Sequence, residues 1–269
     1  MGMEFLVTGC AGFVGSHFTQ LLLEKGETVI GVDNFDELLY GKELKQHNLT
    51  VLSHHQKFEF INASMDDLVL EDKELVVVNF AALAGQRYSW NNVSKYFEVN
   101  SFSAMNLYSR LSKRNRINQF IQISTSSVYG MNATSAEDGS LEPISPYGIS
   151  KLSGEYLLKA HVNQEITKLT IFRLFSVYGP RQRPDMAYSR IIDCLLNDKV
   201  FHLFGSGLQS RTNTFVDDVC KVILQSTITN GLPIIMNVGG TQSTTLLDAI
   251  NCLEEISARN SELFKNHPN

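Results

Sequence analysis

The sequence has few of the residues that build small cross-linked or membrane-bound proteins. Its 269 residues include one tryptophan, six prolines and four cysteines. The cysteines are too scattered for CxxC spacing, so we expect reduced thiols, with neither a disulfide framework nor a zinc site. They are Cys10, Cys194, Cys220 and Cys252. The longest apolar runs, such as LVVVNFAALA at 75–84, are too short to cross a bilayer.

The sequence also has few charged residues, and fewer positive than negative ones. Charged residues make up 19% of the chain, and the formal net charge is −5. This acidic balance offers no electrostatic footprint for nucleic acid. The first residues, MGMEFLVTG, lack the basic region and apolar core of a signal peptide, so we expect a cytoplasmic protein. The adjacent His54 and His55 do not have the spacing of metal ligands, and we expect no metal site.

Apolar runs typical of buried strands alternate with helical stretches along most of the chain. FLVTG, TVIGVD, VVVNFAA and QFIQIS are separated by segments that include the predicted helices Val14 to Lys25 and Val93 to Arg114. Further on, a helix is predicted from Pro146 to about His161. This order predicts βαβ units, and therefore an α/β fold with a Rossmann-like, doubly wound parallel sheet. The segment from Gly179 to about Phe215 breaks the alternation and indicates a smaller lobe.

A glycine-rich turn follows the first predicted strand. In TGCAGFVG, the residues Gly9, Gly12 and Gly15 allow a tight turn and let the backbone approach a pyrophosphate at the start of a helix. The second strand ends at Asp33, roughly 20 positions further on, where a carboxylate accepts hydrogen bonds from an adenosine ribose. No arginine follows in NFDE to neutralise a 2′-phosphate. The pattern therefore favours NAD over NADP.

A tyrosine and a lysine stand four positions apart in SPYGISK at 145–151. Ser145 is expected to cap a helix that begins at Pro146, so Tyr147 and Lys151 should lie on one face. A free tyrosine is a poor base at neutral pH, but a nearby ammonium favours the phenolate. Upstream, ISTSSVYG places hydroxyl groups at the end of another strand, where ligands of parallel sheets bind.

Taken together, these motifs resemble those of the extended short-chain dehydrogenase/reductases, in the NAD-dependent nucleotide-sugar epimerase and dehydratase family. The matching pieces, in order, are TGCAGFVG, VDNFD, AALAGQRYS, ISTSSVYG, SPYGISK, FRLFSVYGPRQRPDM and RTNTFVDDV. The resemblance implies that Thr125, Tyr147 and Lys151 are catalytic. It implies cofactor contacts from the three glycines, Phe13, Val14, Asp33, Asn34, Ala81, Ala82, Asn100, Tyr147 and Lys151. It implies substrate contacts from Arg87, Ser126, Ser176, Arg183, Arg190 and Arg211.

The same resemblance indicates a domain plan and a reaction. Residues 1–178 are expected to bind NAD, with a strand and a helix returning near 212–239, and residues 179–269 to form mainly the substrate lobe. Dehydratases of the family carry an Asp-Glu pair after the catalytic threonine, whereas this chain has Ser126 and Ser127. Epimerisation at C4 of a UDP-sugar is therefore favoured, with UDP-glucuronate 4-epimerases the most similar group. A nucleotide-sugar decarboxylase or dehydratase, or a non-catalytic NAD-binding module, stays open at this point.

Family resemblance also suggests an assembly and two local differences. Members pair two subunits through the helices near 93–114 and 146–161, so we expect a homodimer.

The sequence differs from the family pattern at Ser64, where members place an aspartate, and at Asn79, where they place a histidine. Members also continue beyond the last residue of this chain, so we expect a shortened substrate lobe and weakened activity.

Overall fold

A computed structural model describes residues 4–131, 135–259 and 263–265. The elements run in chain order as follows: β1 (Glu4–Thr8), α1 (Phe13–Glu24), β2 (Val29–Asp33), α2 (Lys42–Leu52), β3 (Phe58–Asn62), β4 (Glu74–Asn79), α3 (Gln86–Ser89), α4 (Val93–Phe97), α5 (Ala104–Leu111), β5 (Arg116–Thr125), α6 (Pro146–His161), β6 (Lys168–Leu174), β7 (Ser176–Tyr178), α7 (Ala187–Leu196), β8 (Phe201–Leu203), β9 (Ser210–Phe215), α8 (Val216–Ile228), β10 (Ile235–Val238), β11 (Ser243–Thr245), α9 (Leu246–Ser257) and β12 (Leu263–Lys265).

The chain divides into two compact units. The first unit comprises Met1–Leu174 and Asp217–Val238, and the second comprises Phe175–Val216 and Gly239–Asn269. This division lies close to the predicted ranges of 1–178 and 179–269, both of which include residues outside the described ones. The first boundary falls at 174, and the segment that returns to the first unit is 217–238.

A seven-stranded sheet organises the first unit. Its order is β10-β6-β5-β4-β1-β2-β3, and every neighbouring pair of strands is parallel. The predicted doubly wound parallel sheet is therefore confirmed. The strand order reverses at β1 and β4, so the loops that follow these two strands leave the sheet in opposite directions and open a crevice. Apolar side chains such as Leu6, Val77 and Phe120, all buried, form its core.

The stretch predicted as one helix from Val93 to Arg114 is interrupted. A π-helical turn over Glu98–Ser103 separates α4 from α5, and α5 ends at Leu111. Asn100 lies inside this wider turn and is buried. A wider turn often marks a functional position, because it redirects side chains that regular helix spacing would place elsewhere. The chain is helical from 93 to 111, close to the predicted range, but the π-helical turn was not predicted, since hydrophobic periodicity does not register one extra residue in a turn.

Among its described residues, the second unit has two small sheets and two helices. One sheet has the order β11-β9-β7, with β7 parallel and β11 antiparallel to β9, and the other pairs β8 with β12 in parallel. Helices α7 and α9 enclose a small apolar core that includes Ile191, Phe201 and Ile250. Within the residues that the structure describes, no helix has both the length and the hydrophobicity needed to cross a bilayer.

Candidate active site

The loop between β1 and α1 is a tight glycine turn. Gly9 has a φ of +69°, and a Cβ atom there would lie 2.7 Å from the backbone nitrogen of Ala81. The amide of Gly12 donates to the carbonyl of Gly9 at 3.0 Å, and a Cβ atom on Gly15 would collide with that same carbonyl. Gly9 and Gly15 therefore require glycine, whereas a Cβ atom on Gly12 would lie 3.2 Å from the Gly9 carbonyl, a tight contact. The cradle fits a pyrophosphate at the helix N-terminus. The predicted contact residues at the start of α1 are Phe13 and Val14.

Asp33 ends β2 beside this loop, and its carboxylate is held in place. It accepts hydrogen bonds from the amide of Ala11 at 3.3 Å and from the amide of Phe35 at 2.8 Å, and the residue is 7% exposed. Such a carboxylate fits the ribose role that the sequence predicts. The neighbouring Asn34 is exposed, and its side-chain oxygen accepts from the amide of Asp36 at 3.1 Å.

A lysine that the sequence analysis missed lies next to Asp33. The ammonium of Lys45, on α2, is 3.6 Å from the carboxylate. The sequence analysis considered only NFDE, directly after Asp33, and Lys45 lies beyond that stretch. A loop and most of a helical turn separate Lys45 from Asp33 along the chain. No sequence pattern predicts a contact at this separation, so the pair is seen only in the folded structure.

The segment after β4 is tied to the helices by Asn100. This side chain accepts from the amide of Leu83 and donates to the carbonyl of the same residue, both at 2.9 Å. It also donates to the hydroxyl of Ser150, on α6, at 3.0 Å. One buried amide therefore fixes the segment containing Ala81 and Ala82, which are half-buried, and joins it to the helix that carries Tyr147.

Helix α6 starts as the sequence predicts. Ser145 accepts from the amide of Gly148 at 3.2 Å, and Pro146 occupies the first helical position. Tyr147 is half-buried, with its ring edge-to-face on Tyr96 at a centroid separation of 6.2 Å. One turn later, the ammonium of Lys151 donates to the carbonyl of Ile123, on β5, at 2.5 Å.

Lys151 is buried, and its environment alters its protonation. Burial lowers the pKa of Lys151 to about 8, and the negative charge of Glu155 opposes this shift. The ammonium therefore stays charged at neutral pH but sits close to its titration range. Since Ile123 precedes Thr125 by two residues, the hydrogen bond to its carbonyl also brings Lys151 to the carboxyl end of β5.

Thr125 closes β5 and caps the turn that follows. Its hydroxyl accepts from the amide of Ser127 at 3.1 Å and lies 3.2 Å from the hydroxyl of Ser127. The side chain of Gln86, on α3, donates to that same Ser127 hydroxyl at 3.2 Å. Ser126 is half-buried in this turn, and Arg87 is exposed on α3. The structure thus brings the loop after β4 to the end of β5.

A buried ion pair lies behind these residues, and the sequence analysis missed it. Arg173, on β6, donates to the carboxylate of Glu155, on α6, with its closest contact at 2.7 Å, and each side chain is 1% exposed. Glu155 also accepts a short hydrogen bond from Ser124. Arg173 further donates to the Tyr129 hydroxyl at 2.8 Å. The cluster locks α6 onto β5 and β6, one turn beyond Lys151. The sequence offers no local signal for this pair, because Arg173 and Glu155 are 18 residues apart on different elements.

A second buried polar chain crosses the centre of the sheet. Thr8 donates to Asn79 at 2.5 Å, Asn79 donates to Gln122 at 2.8 Å, and Gln122 donates to the carbonyl of Ile123 at 3.0 Å. This carbonyl is the acceptor of Lys151 as well. Asn79, which replaces the histidine of the family pattern, thus has a fully satisfied place in the core. The other difference, Ser64, is bonded to Asp67 at 2.7 Å.

The predicted substrate residues of the second unit have a different character. Arg183 makes a bidentate pair with Asp185, with both N–O distances at 2.9 Å. Arg190 is exposed on α7, and its guanidinium lies 5.7 Å from the ring centroid of Phe201. Arg211 is exposed on β9 and donates to the carbonyl of its neighbour, Ser210, at 2.7 Å. Ser176 is half-buried at the start of β7.

Relatives with sequence similarity along nearly the whole chain include two bacterial proteins. One is the "Uncharacterized UDP-glucose epimerase YtcB" of Bacillus subtilis, 37% identical over 97% of this chain and 84% of the relative. The other is the "UDP-glucuronate 4-epimerase" of Thermodesulfobacterium geofontis, 31% identical over 96% of this chain and 82% of the relative.

Among solved structures, a similar fold is that of UDP-glucuronic acid 4-epimerase from Bacillus cereus in complex with UDP-glucuronic acid and NAD. It superposes with a TM-score of 0.90 at 37% identity, over 97% of this chain and 85% of that chain. The profile of the "NAD dependent epimerase/dehydratase family" matches residues 5–239. This match confirms the predicted family resemblance and agrees with the glycine cradle and the fixed Asp33. The chain belongs to the NAD-dependent epimerase/dehydratase family.

Proposed function

We propose that this protein is an NAD-dependent 4-epimerase of UDP-sugars, with UDP-glucuronate as its preferred substrate. The observation that carries the proposal is the placement of Tyr147 and Lys151 on one face of α6, with Lys151 bonded to the strand that ends at Thr125. Relatives named as UDP-glucuronate 4-epimerases support the substrate class. The absence of an Asp-Glu pair after Thr125 argues against dehydration.

Tyr147 is the proposed acid and base. Its phenolate takes the proton of the sugar C4 hydroxyl as that carbon is oxidised, and the phenol returns the proton when the carbonyl is reduced. Bound NAD supplies the hydride acceptor and donor of this chemistry. Inversion requires the 4-keto sugar to turn before reduction, so that its other face is reduced.

Lys151 and Thr125 are the proposed supporting residues. The buried ammonium of Lys151 stabilises the phenolate of Tyr147, because an adjacent positive charge lowers the pKa of a phenol. The bond from Lys151 to the Ile123 carbonyl fixes the position of that charge. The Thr125 hydroxyl accepts from the Ser127 amide. Its proposed role is to form a hydrogen bond to the reacting sugar oxygen.

The second unit is proposed to bind the nucleotide sugar. This is the role predicted for residues 179–269 from the sequence. Arg211 is assigned to the diphosphate, with help from Arg183, and Arg190 with Ser176 to the C6 carboxylate. Charge-assisted hydrogen bonds of this kind are strong and favour a uronic acid over a neutral sugar. Arg87 and Ser126 are assigned to the sugar from the first unit.

A product assay tests the reaction and its substrate. The purified chain is incubated with NAD and UDP-glucuronate, UDP-glucose, UDP-N-acetylglucosamine or GDP-mannose, and each C4 epimer is quantified by chromatography. We expect UDP-galacturonate to form fastest, and Tyr147→Phe to abolish most of this activity. Faster conversion of UDP-glucose would overturn the uronate assignment, and no epimer from any sugar would overturn the proposed function.

A homodimer is part of the proposal. The π-helical turn between α4 and α5 and the helix α6 both carry exposed apolar side chains, with Phe102 52%, Tyr156 54% and Ile149 43% exposed. Apolar groups clustered on one helical face favour a partner, and pairing of identical faces gives a two-fold dimer. We expect sedimentation at micromolar concentration to give the dimer mass, and Phe102→Glu to give the monomer. A monomer with the unchanged chain would contradict this assembly.

The proposed compartment is the cytoplasm. Cys10, Cys194, Cys220 and Cys252 are all free thiols, as expected in a reducing environment. Cys10 lies in the glycine loop, where burial and the nearby Asp33 raise the pKa of its thiol well above the usual value. It is therefore an unreactive neutral thiol. Labelling of thiols in freshly lysed cells, with all four cysteines recovered as reduced, is the expected result.

A further inference from the structure

The surroundings of Lys45 point to a role in cofactor recognition. Its side chain is 11% exposed, and its ammonium donates to the backbone carbonyl of Asp36 at 2.9 Å. The ammonium also lies 5.5 Å from the ring centroid of Tyr40. A buried lysine needs such partners, because an isolated charge is costly to remove from water. Lys45 is thus held in one position and is not a mobile surface charge.

Among the nearby carboxylates, that of Asp33 forms the ion pair with Lys45. The carboxylate of Asp36 is bound directly by Lys95 at 2.6 Å, and the charge of Lys45 helps to lower its pKa without a direct ion pair. Asp33, whose side chain is 5% exposed, faces Lys45 at 3.6 Å. The amide of Phe35 donates to Oδ1 of Asp33, the oxygen that faces Lys45, and the amide of Ala11 donates to Oδ2. A negative and a positive charge are therefore fixed side by side where the adenosine ribose is expected.

We propose that the Asp33–Lys45 pair, and not Asp33 alone, sets the cofactor preference of this protein. Asp33 accepts the ribose hydroxyls and repels a 2′-phosphate, while Lys45 holds Asp33 in place and partly offsets that repulsion. Once Asp33 is neutral, Lys45 is a preformed cation for the 2′-phosphate of NADP. Phosphate recognition by a lysine acting as a point charge needs only this proximity.

A cycle of substitutions tests the pair by binding, independently of catalysis. Asp33→Asn, Lys45→Met and the double variant are titrated with NAD and with NADP by calorimetry at one low salt concentration. Asp33→Asn keeps the side-chain shape, and an oxygen remains to accept from the amide of Phe35. Lys42→Met is the matched control, because Lys42 lies on the same helix and removes the same charge, but is paired with Glu37 at 3.8 Å on the surface.

We expect Asp33→Asn to strengthen NADP binding by about tenfold or more. Adding Lys45→Met should then weaken NADP binding by about 10- to 100-fold, the usual value of a charge-assisted phosphate contact, and NAD binding by much less. In the otherwise unchanged chain, Lys45→Met should widen the preference for NAD. Lys42→Met should change both affinities by less than about twofold, because exposed charges are screened.

Several results would overturn the proposal. One is a double variant that binds NADP as well as Asp33→Asn does, and another is equal weakening of NAD and NADP by Lys45→Met. An effect of Lys42→Met as large as that of Lys45→Met would show that the affinities respond to the net charge of the protein and not to the position of Lys45. Thermal melting checks that each variant is folded, and Asp33→Ser replaces Asp33→Asn in the cycle if the latter does not fold.

Discussion

The two units hold their candidate residues in contrasting ways. In the first unit, Asp33, Asn100 and Lys151 are all less than about a tenth exposed, and each has fixed hydrogen-bond partners. In the second unit, Arg190 and Arg211 are exposed. Ordering a long side chain on a ligand costs conformational entropy, whereas a group already fixed by the fold has little left to lose. These candidate groups of the first unit are therefore preorganised, whereas Arg190 and Arg211 depend on a ligand to order them. Arg183 differs from these two arginines because Asp185 already holds it.

The largest expected effect concerns the preorganised groups of the first unit. Tyr147→Phe removes the proposed acid and base, and we expect turnover to fall by about 10²- to 10⁴-fold while NAD affinity stays nearly unchanged. Tyr156→Phe is the control, since it removes a phenol from an exposed position on the same helix. Steady-state kinetics of the three chains make the measurement. Turnover of Tyr147→Phe at the unchanged rate would remove Tyr147 from the mechanism.

The buried ion pair gives the next effect, on stability. Glu155→Gln leaves Arg173 as an uncompensated buried charge, and breaking such a pair typically costs about 3 to 5 kcal/mol of unfolding free energy. Urea unfolding measures this loss, with Glu165→Gln as an exposed control. If Glu155→Gln unfolds at the same urea concentration as the unchanged chain, the cluster does not hold α6 in place.

A smaller effect concerns the second unit. Arg211→Met should weaken binding of UDP-glucuronate by about 10- to 100-fold, the value of one charge-assisted contact to a phosphate, and leave NAD binding unchanged. Lys199→Met removes a positive charge from the same unit, where it is exposed and paired with Asp193 at 3.0 Å. Equal losses in Arg211→Met and Lys199→Met, measured by calorimetry, would point to a general charge effect and against a diphosphate contact.

The smallest expected effect is on pH dependence. Burial lowers the pKa of Lys151 to about 8, so its ammonium is lost as the pH rises above that value. Turnover should then fall on the alkaline side, by about tenfold at one pH unit above this pKa, because the neutral amine no longer stabilises the Tyr147 phenolate.

Stability should move in the opposite direction over the same interval. The pKa of Lys151 is lower in the folded chain than in the unfolded one, so the unfolded chain binds more protons above about pH 8. This residue therefore adds to the unfolding free energy as the pH rises from there towards its ordinary pKa. Urea unfolding at the same pH values separates the two effects.

A turnover rate that stays constant up to pH 10 would contradict the role assigned to the Lys151 charge in catalysis.

The amino-acid sequence by itself determined the sheet, the cofactor loop and the start of α6. Alternating apolar runs, a glycine-rich turn and a Ser-Pro helix start are local signals, because each depends on residues within one or two elements. Gly9, Asp33, Tyr147 and Lys151 could therefore be identified from the sequence pattern. The family resemblance added Thr125, Asn100 and the arginines by position in known motifs.

Tertiary structure alone decided which of these groups have charged neighbours. Lys45 reaches Asp33 from helix α2, Arg173 reaches Glu155 from strand β6, and Asn79 is hydrogen-bonded to Gln122 on the adjacent strand. None of these pairs has a helical or strand spacing, so no periodicity reports them. The π-helical turn that presents Asn100 likewise depends on packing, since Gly154 lets α6 approach the carbonyl of that residue. Long-range contacts of this kind set the electrostatics of the site, because charge interactions depend on distance in space and not on separation along the chain.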